Sequence, residues 1–172
     1  MGMDIYGKDP TTENGKYFRN SIWAWHPLAS YIVENHKDLS SGCKSWHTNE
    51  GAGLNAEDSR ALSEKLLEDV ASGVAKAYML AKHKDIADMA EESCKICEGT
   101  GIRIDAIGSV DGQPTRELSE SMALKLGRAK GWCNGCDGVG TKPTFKSFYV
   151  FSLENVTEFA EFLKDSGGFM IV

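Results

Sequence analysis

The sequence predicts an α+β fold in which helices pack on a small sheet and an insert is closed by two cysteine pairs. Three observations lead there. Apolar residues recur at helical steps over residues 55–82 and again after Asn155. Short runs rich in β-branched and aromatic residues occur at 3–7, 145–151 and 169–172. Two segments of the same form, Cys94-Lys-Ile-Cys97-Glu-Gly-Thr-Gly101 and Cys133-Asn-Gly-Cys136-Asp-Gly-Val-Gly140, bracket residues 94–140.

The elements follow in order. Residues 3–7 read as a strand, and 8–20, with Pro10 and Gly15, as a loop. Pro27 suits a first helical turn, where its missing N–H costs nothing. Leu28, Tyr31 and Ile32 give that helix an apolar face over about 27–37. Residues 38–54, rich in Ser, Gly, Asn and His, read as a long irregular segment. Asn55 is placed to cap a helix to about residue 82, with Glu57 and Asp58 at its positive end. Leu62, Leu66, Val70, Val74, Ala77 and Ala81 form its apolar face, and Gly73 weakens but does not stop it. A second helical piece covers 85–92. Within the insert, 102–107 reads as a strand and 115–127 as a helix. Beyond it come the strand 145–151 and a helix opened by Asn155 with Val156, Phe159, Ala160 and Leu163 inward. Gly167 and Gly168 end that helix before a final strand, 169–172.

Length and composition bound the class. The chain has 172 residues, 41% hydrophobic and 26% charged, which fits a single globular domain, 1–172, that includes the insert. A net charge of -6 argues against a broad nucleic-acid-binding face, because phosphate contacts need clustered cations. The opening residues lack an apolar signal core and no stretch approaches membrane-spanning length, so a reducing cytoplasm and no membrane partner are expected. Disulfides are disfavoured there, and five cysteines point to metal ligands plus one spare thiol.

Two residues between cysteines let both thiolates of one turn reach the same ion, and two such turns complete a tetrahedral sulfur site. Cys94, Cys97, Cys133 and Cys136 are thus the expected ligands of one structural zinc ion, and the insert reads as a zinc knuckle. Four thiolates can also hold an iron–sulfur cluster. The glycines leave room for amides to approach the sulfurs. The repeated C-x-x-C-x-G-x-G form resembles the cysteine-rich region of DnaJ-type chaperones. That resemblance implies zinc binding, with two copies enough for one ion; no J-domain signature accompanies it.

Other residues carry weaker chemistry. Cys43 and His47, near His26 and His36, could be a nucleophile and its base in an enzyme using the 38–54 loop, or part of a second metal site. A loop thiol with surface histidines is the plainer reading. Trp23, Trp25 and Trp46 read as core or as interface anchors. Arg128, Lys130 and Trp132 beside the second pair could contact a nucleic acid, or simply form a solvated helix end. Gly51-Ala-Gly53-Leu-Asn55 lacks the Lys-Ser/Thr of a phosphate loop and precedes two acids, so it is not read as one. No catalytic residue and no cofactor-binding residue other than the four cysteines is assigned.

The opening Met1-Gly-Met-Asp-Ile-Tyr-Gly-Lys8, Tyr17-Phe-Arg-Asn20, Gly53-Leu-Asn-Ala-Glu-Asp58, Gly127-Arg-Ala-Lys-Gly-Trp-Cys-Asn-Gly-Cys136 and the run Glu154–Phe169 are similar to a family of uncharacterised bacterial and phage-borne proteins. The resemblance implies an accessory protein and brings no activity. A structural zinc joining distant segments would present a fixed surface, so a protein-binding module is the leading expectation.

Overall fold

The computed structural model describes residues 2–102, 109–110, 113–114, 127 and 133–172. The chain divides into two compact units: Met1–Asp88 with Lys146–Val172, and Met89–Phe145. The architecture is α+β, with helices and small antiparallel sheets.

The larger unit is built on a three-stranded antiparallel sheet. Strand β1 (Gly2–Gly7) lies between β2 (Tyr17–Ser21) and the C-terminal strand, Phe169–Ile171. Ile5 pairs with Phe18 on one side and Ile171 on the other. Alternation puts Met3 and Ile5 inside and leaves Tyr6 exposed, as a sheet with one covered face requires. Strand β2 corrects the loop expected over 8–20. Its five residues lack a strong β pattern and are ordered by pairing with β1.

Helix α1 spans Ile22–Asn35, five residues earlier at its start than expected. The Ser21 hydroxyl accepts the Ala24 amide at 3.3 Å and sets that start, leaving Pro27 inside the helix. A short helix α2, Lys37–Ser40, interrupts the segment expected to be irregular. Helix α3 is Ala56–Ser72, with Asn55 accepting the Asp58 amide at 2.8 Å as its cap. It stops at Gly73, whose φ of +86° is left-handed, and α4 (Val74–Ala87) restarts on a new axis. A continuous helix to residue 82 is therefore not formed. The break rotates the face: Val74, Ala77 and Ala81 are exposed, while Ala75 is buried with Tyr78 and Met79 beside it. The piece expected over 85–92 is divided between the end of α4 and a two-residue strand, β3 (Glu92–Ser93).

Residues 145–151 do not form a strand. Phe145–Phe148 is a 3-10 turn, and Phe151 is buried with its ring 5.0 Å from those of Tyr31 and Tyr78. No described strand pairs with this segment, so its aromatic residues serve side-chain packing. The next helix, Leu153–Asp165, is capped by Ser152, which accepts the Asn155 amide at 3.1 Å. Asn155, expected as the cap, instead donates to the Ala24 carbonyl at 3.0 Å and accepts from Asn20 at 2.5 Å. Val156, Phe159, Ala160 and Leu163 are buried as expected, and Phe162 joins them. This helix lies against α3, where buried Ser63 donates to the Ala160 carbonyl at 2.6 Å. The last strand's outer edge is covered by the segment before α3: Gly51 donates to Ile171, which in turn donates to Ala52, both at 2.8 Å.

In the smaller unit, β3 pairs with Thr141–Lys142, and Ser109–Val110 pairs with Gln113–Pro114, both antiparallel. The strand expected over 102–107 and the helix over 115–127 fall almost wholly outside the described residues. Among the described residues no helix is long and apolar enough to cross a membrane.

Candidate metal centre

Cys94, Cys97, Cys133 and Cys136 are all buried, and their sulfurs lie within 4.8 Å of one another. Each knuckle is built by the same backbone path. After the second cysteine comes a residue in left-handed conformation, Glu98 (φ +51°) or Asp137 (φ +54°). The turn then brings an amide back onto its own sulfur: Gly101 onto Cys97 at 3.3 Å and Gly140 onto Cys136 at 3.2 Å. Such N–H donors stabilise thiolate charge.

The two knuckles clasp each other about an approximate two-fold axis. The Cys94 amide donates to the Gly140 carbonyl at 2.8 Å, and the Cys133 amide to the Gly101 carbonyl at 2.9 Å. A Cβ on Gly101 would stand 2.2 Å from the Gly138 oxygen, and one on Gly140 would stand 2.3 Å from the Gly99 oxygen. Both glycines also have left-handed φ, +74° and +92°. At the equivalent positions Ile96 and Gly135 the symmetry is broken. A Cβ on Gly135 would meet the Ile96 side chain at 2.5 Å, so one large residue covers one absent side chain.

The donor set fits a single soft cation. Cys94 and Cys133 sulfurs are 3.9 Å apart, and Cys97 and Cys136 sulfurs 3.6 Å. A tetrahedron with metal–sulfur bonds of about 2.3 Å has edges of about 3.8 Å. Electrostatics agrees. Burial opposes the Cys94 thiolate, but the Ile96 and Cys97 amides outweigh it and hold the thiol at about 6. Burial likewise opposes the Cys97 thiolate, and the Gly101 amide leads the groups that bring it below the ordinary range. Burial, with the other thiols, pushes Cys133 up to about 11. Four sulfurs this close cannot all ionise without a cation among them. The buried four-cysteine cluster could thus hold a metal ion.

The other candidate residues separate. Cys43 is buried and its thiol is pushed up to about 11, chiefly by burial, so it is a protonated thiol at neutral pH. His47 lies on the same cleft as Cys43. Its Nδ1 is 2.9 Å from that of His26, with the rings nearly parallel. His36 is buried, with Nε2 2.8 Å from the Asp69 carboxylate, which also accepts the Tyr31 hydroxyl. Trp25 and Trp46 are core residues, the Trp25 indole donating to the Trp46 carbonyl at 2.6 Å. Trp23 is half-buried against the Tyr149 ring at 4.9 Å. Gly51-Ala-Gly53-Leu-Asn55 serves as edge cover for the last strand. Arg128, Lys130 and Trp132 lie outside the described residues. The two histidine contacts were not legible in the sequence, since each joins residues from different elements.

Comparison with protein-family models, curated proteins and solved structures finds no match.

Proposed function

We propose that the four cysteines hold one structural zinc ion and that the protein is a bacterial or phage accessory module which binds a protein partner in the cytoplasm. One observation carries the reading: a closed, buried cage of four sulfurs with single-ion dimensions. Thiolates that ligate separate irons of a cluster stand farther apart than thiolates sharing one ion, which favours a mononuclear site. A zinc ion with four cysteine ligands has no position for water or substrate, so its role is to hold the knuckles together. The partner reading draws on exposed apolar side chains around the cage, Ile96, Ile102 and Val139, the last 70% exposed. The bacterial or phage setting draws on the sequence resemblance alone.

Native mass spectrometry of the intact chain, beside a Cys133→Ser/Cys136→Ser double variant, tests the metal. One zinc per chain, absent from the variant, is the expected result. Iron with sulfide, or no metal, overturns it. Capture of partners from bacterial lysate with wild type and a zinc-loaded Val139→Asp variant tests the surface. The partner reading requires a reproducible protein that Val139→Asp loses.

A further inference from the structure

A cleft of about 350 Å³ opens in the larger unit between the end of α1, α2 and the loop that follows. Its volume is at the small end of the range for ligand pockets. Lys37, Lys44 and His47 line it, and no carboxylate does, although the chain carries 25 acidic residues against 19 lysines and arginines. Two carboxylates in neighbouring turns are engaged elsewhere. Glu34 accepts the Tyr78 hydroxyl at 3.0 Å, and Asp58 accepts from Asn55 at 2.8 Å. The cleft also has an apolar part, made by Val33, 37% exposed, with Cys43 and Trp46, both 4% exposed. The Trp46 indole N–H is already given to the Ser40 carbonyl at 3.1 Å.

We propose that this cleft binds a small phosphate ester, its oxyanion held by Lys37 and Lys44 and its body against the side formed by Val33, Cys43 and Trp46. Lysine binds phosphate as a point charge, and a cleft lined by one sign of charge concentrates the opposite ion. His47 is fixed at the rim by its contact with His26 on α1. The neutral Cys43 thiol belongs to the wall and is not a nucleophile here. The site stands apart from the metal reading and does not depend on it.

The probes are phenyl phosphate and inorganic phosphate, titrated into the isotopically labelled full chain at low ionic strength and followed by amide NMR. Saturable shifts confined to residues around 33–47 are expected, with phenyl phosphate binding more tightly than inorganic phosphate. Lys37→Glu/Lys44→Glu should weaken binding by about tenfold or more. Lys76→Glu/Lys84→Glu, which makes the same charge change at exposed positions of α4, should leave it unchanged. All four lysines are exposed, so both variants are expected to keep the wild-type spectrum elsewhere. The proposal is overturned by the absence of saturable shifts, by equal loss in the two double variants, or by shifts that follow lysines over the whole surface. Equal affinity for the two probes removes the apolar part of the site.

Discussion

Replacing Gly101 with alanine separates the closeness of the knuckles from ordinary backbone strain. The residue has a φ of +74°, so alanine there pays a left-handed penalty of about 1–2 kcal/mol. Gly73, at +86°, carries the same penalty with nothing within 4 Å of an added Cβ. At Gly101 the added carbon would also lie 2.2 Å from the Gly138 oxygen. That is more than roughly 1 Å inside ordinary van der Waals contact, and the obstacle is backbone. The second knuckle must therefore retreat, and the sulfur separations of 3.6 and 3.9 Å open with it. Disturbing the groups that support metal ligands costs about 10–100-fold in affinity. Competition against a chromogenic chelator measures this directly. Gly101→Ala should bind zinc about 10–100-fold more weakly than wild type, while Gly73→Ala, modestly destabilised, keeps wild-type affinity. Wild-type zinc affinity in Gly101→Ala would refute the clasped-knuckle argument, because backbone that close could not accept a methyl group unmoved.

Three further outcomes are expected. Phe151→Ala removes a fully buried ring from a three-ring cluster with Tyr31 and Tyr78, and urea unfolding should show a loss of about 3–5 kcal/mol; a loss under about 1 kcal/mol would mean the site collapses freely. Asp69→Ala leaves the buried Tyr31 hydroxyl without its acceptor, so the same assay should lose about 1–3 kcal/mol, and a neutral result would show that this bond contributes nothing. Burial holds His26 below the ordinary imidazole range, and burial together with His26 does the same for His47. The folded chain then binds fewer protons than the unfolded one in acid. Stability is unaffected above the unfolded value of about 6.5 and falls as pH drops below it toward the lower folded values. Urea midpoints at pH 7.5 and 5.5 should differ in that direction, and His47→Gln should narrow the gap; an unchanged gap removes the pair from the account.

Features written in neighbouring residues were legible. The Asn55 cap, the inward face of Val156, Phe159, Ala160 and Leu163, the first and last strands and the four cysteines all follow from spacing over a few residues. Where the reading failed, two local signals competed or the deciding partner was distant. Pro27 suggested a helix start, but Ser21 already supplied a cap six residues ahead of it. The periodicity of 55–82 ran through Gly73, and sequence alone could not show that this glycine would adopt a left-handed φ. Residues 145–151 carry strong strand propensity, yet Phe151 is used to complete a three-ring cluster with Tyr31 and Tyr78.

The sequence by itself determined the ligand set that could hold a metal ion: four thiols, paired at a spacing that lets one turn offer two ligands, with glycines where amides must turn back on sulfur. Tertiary structure alone decided that the pairs close on a common centre, because their sulfurs are brought to 3.6 and 3.9 Å by contacts between residues 39 apart in the chain. It also decided that β2 is a strand, that Trp25 and Trp46 are core, and that Lys37 and Lys44 share one cleft free of carboxylates. The physical reason is the same in each case. Short-range preferences act through backbone geometry within a few residues, whereas pairing, burial and electrostatic field depend on which distant segments are brought together in space.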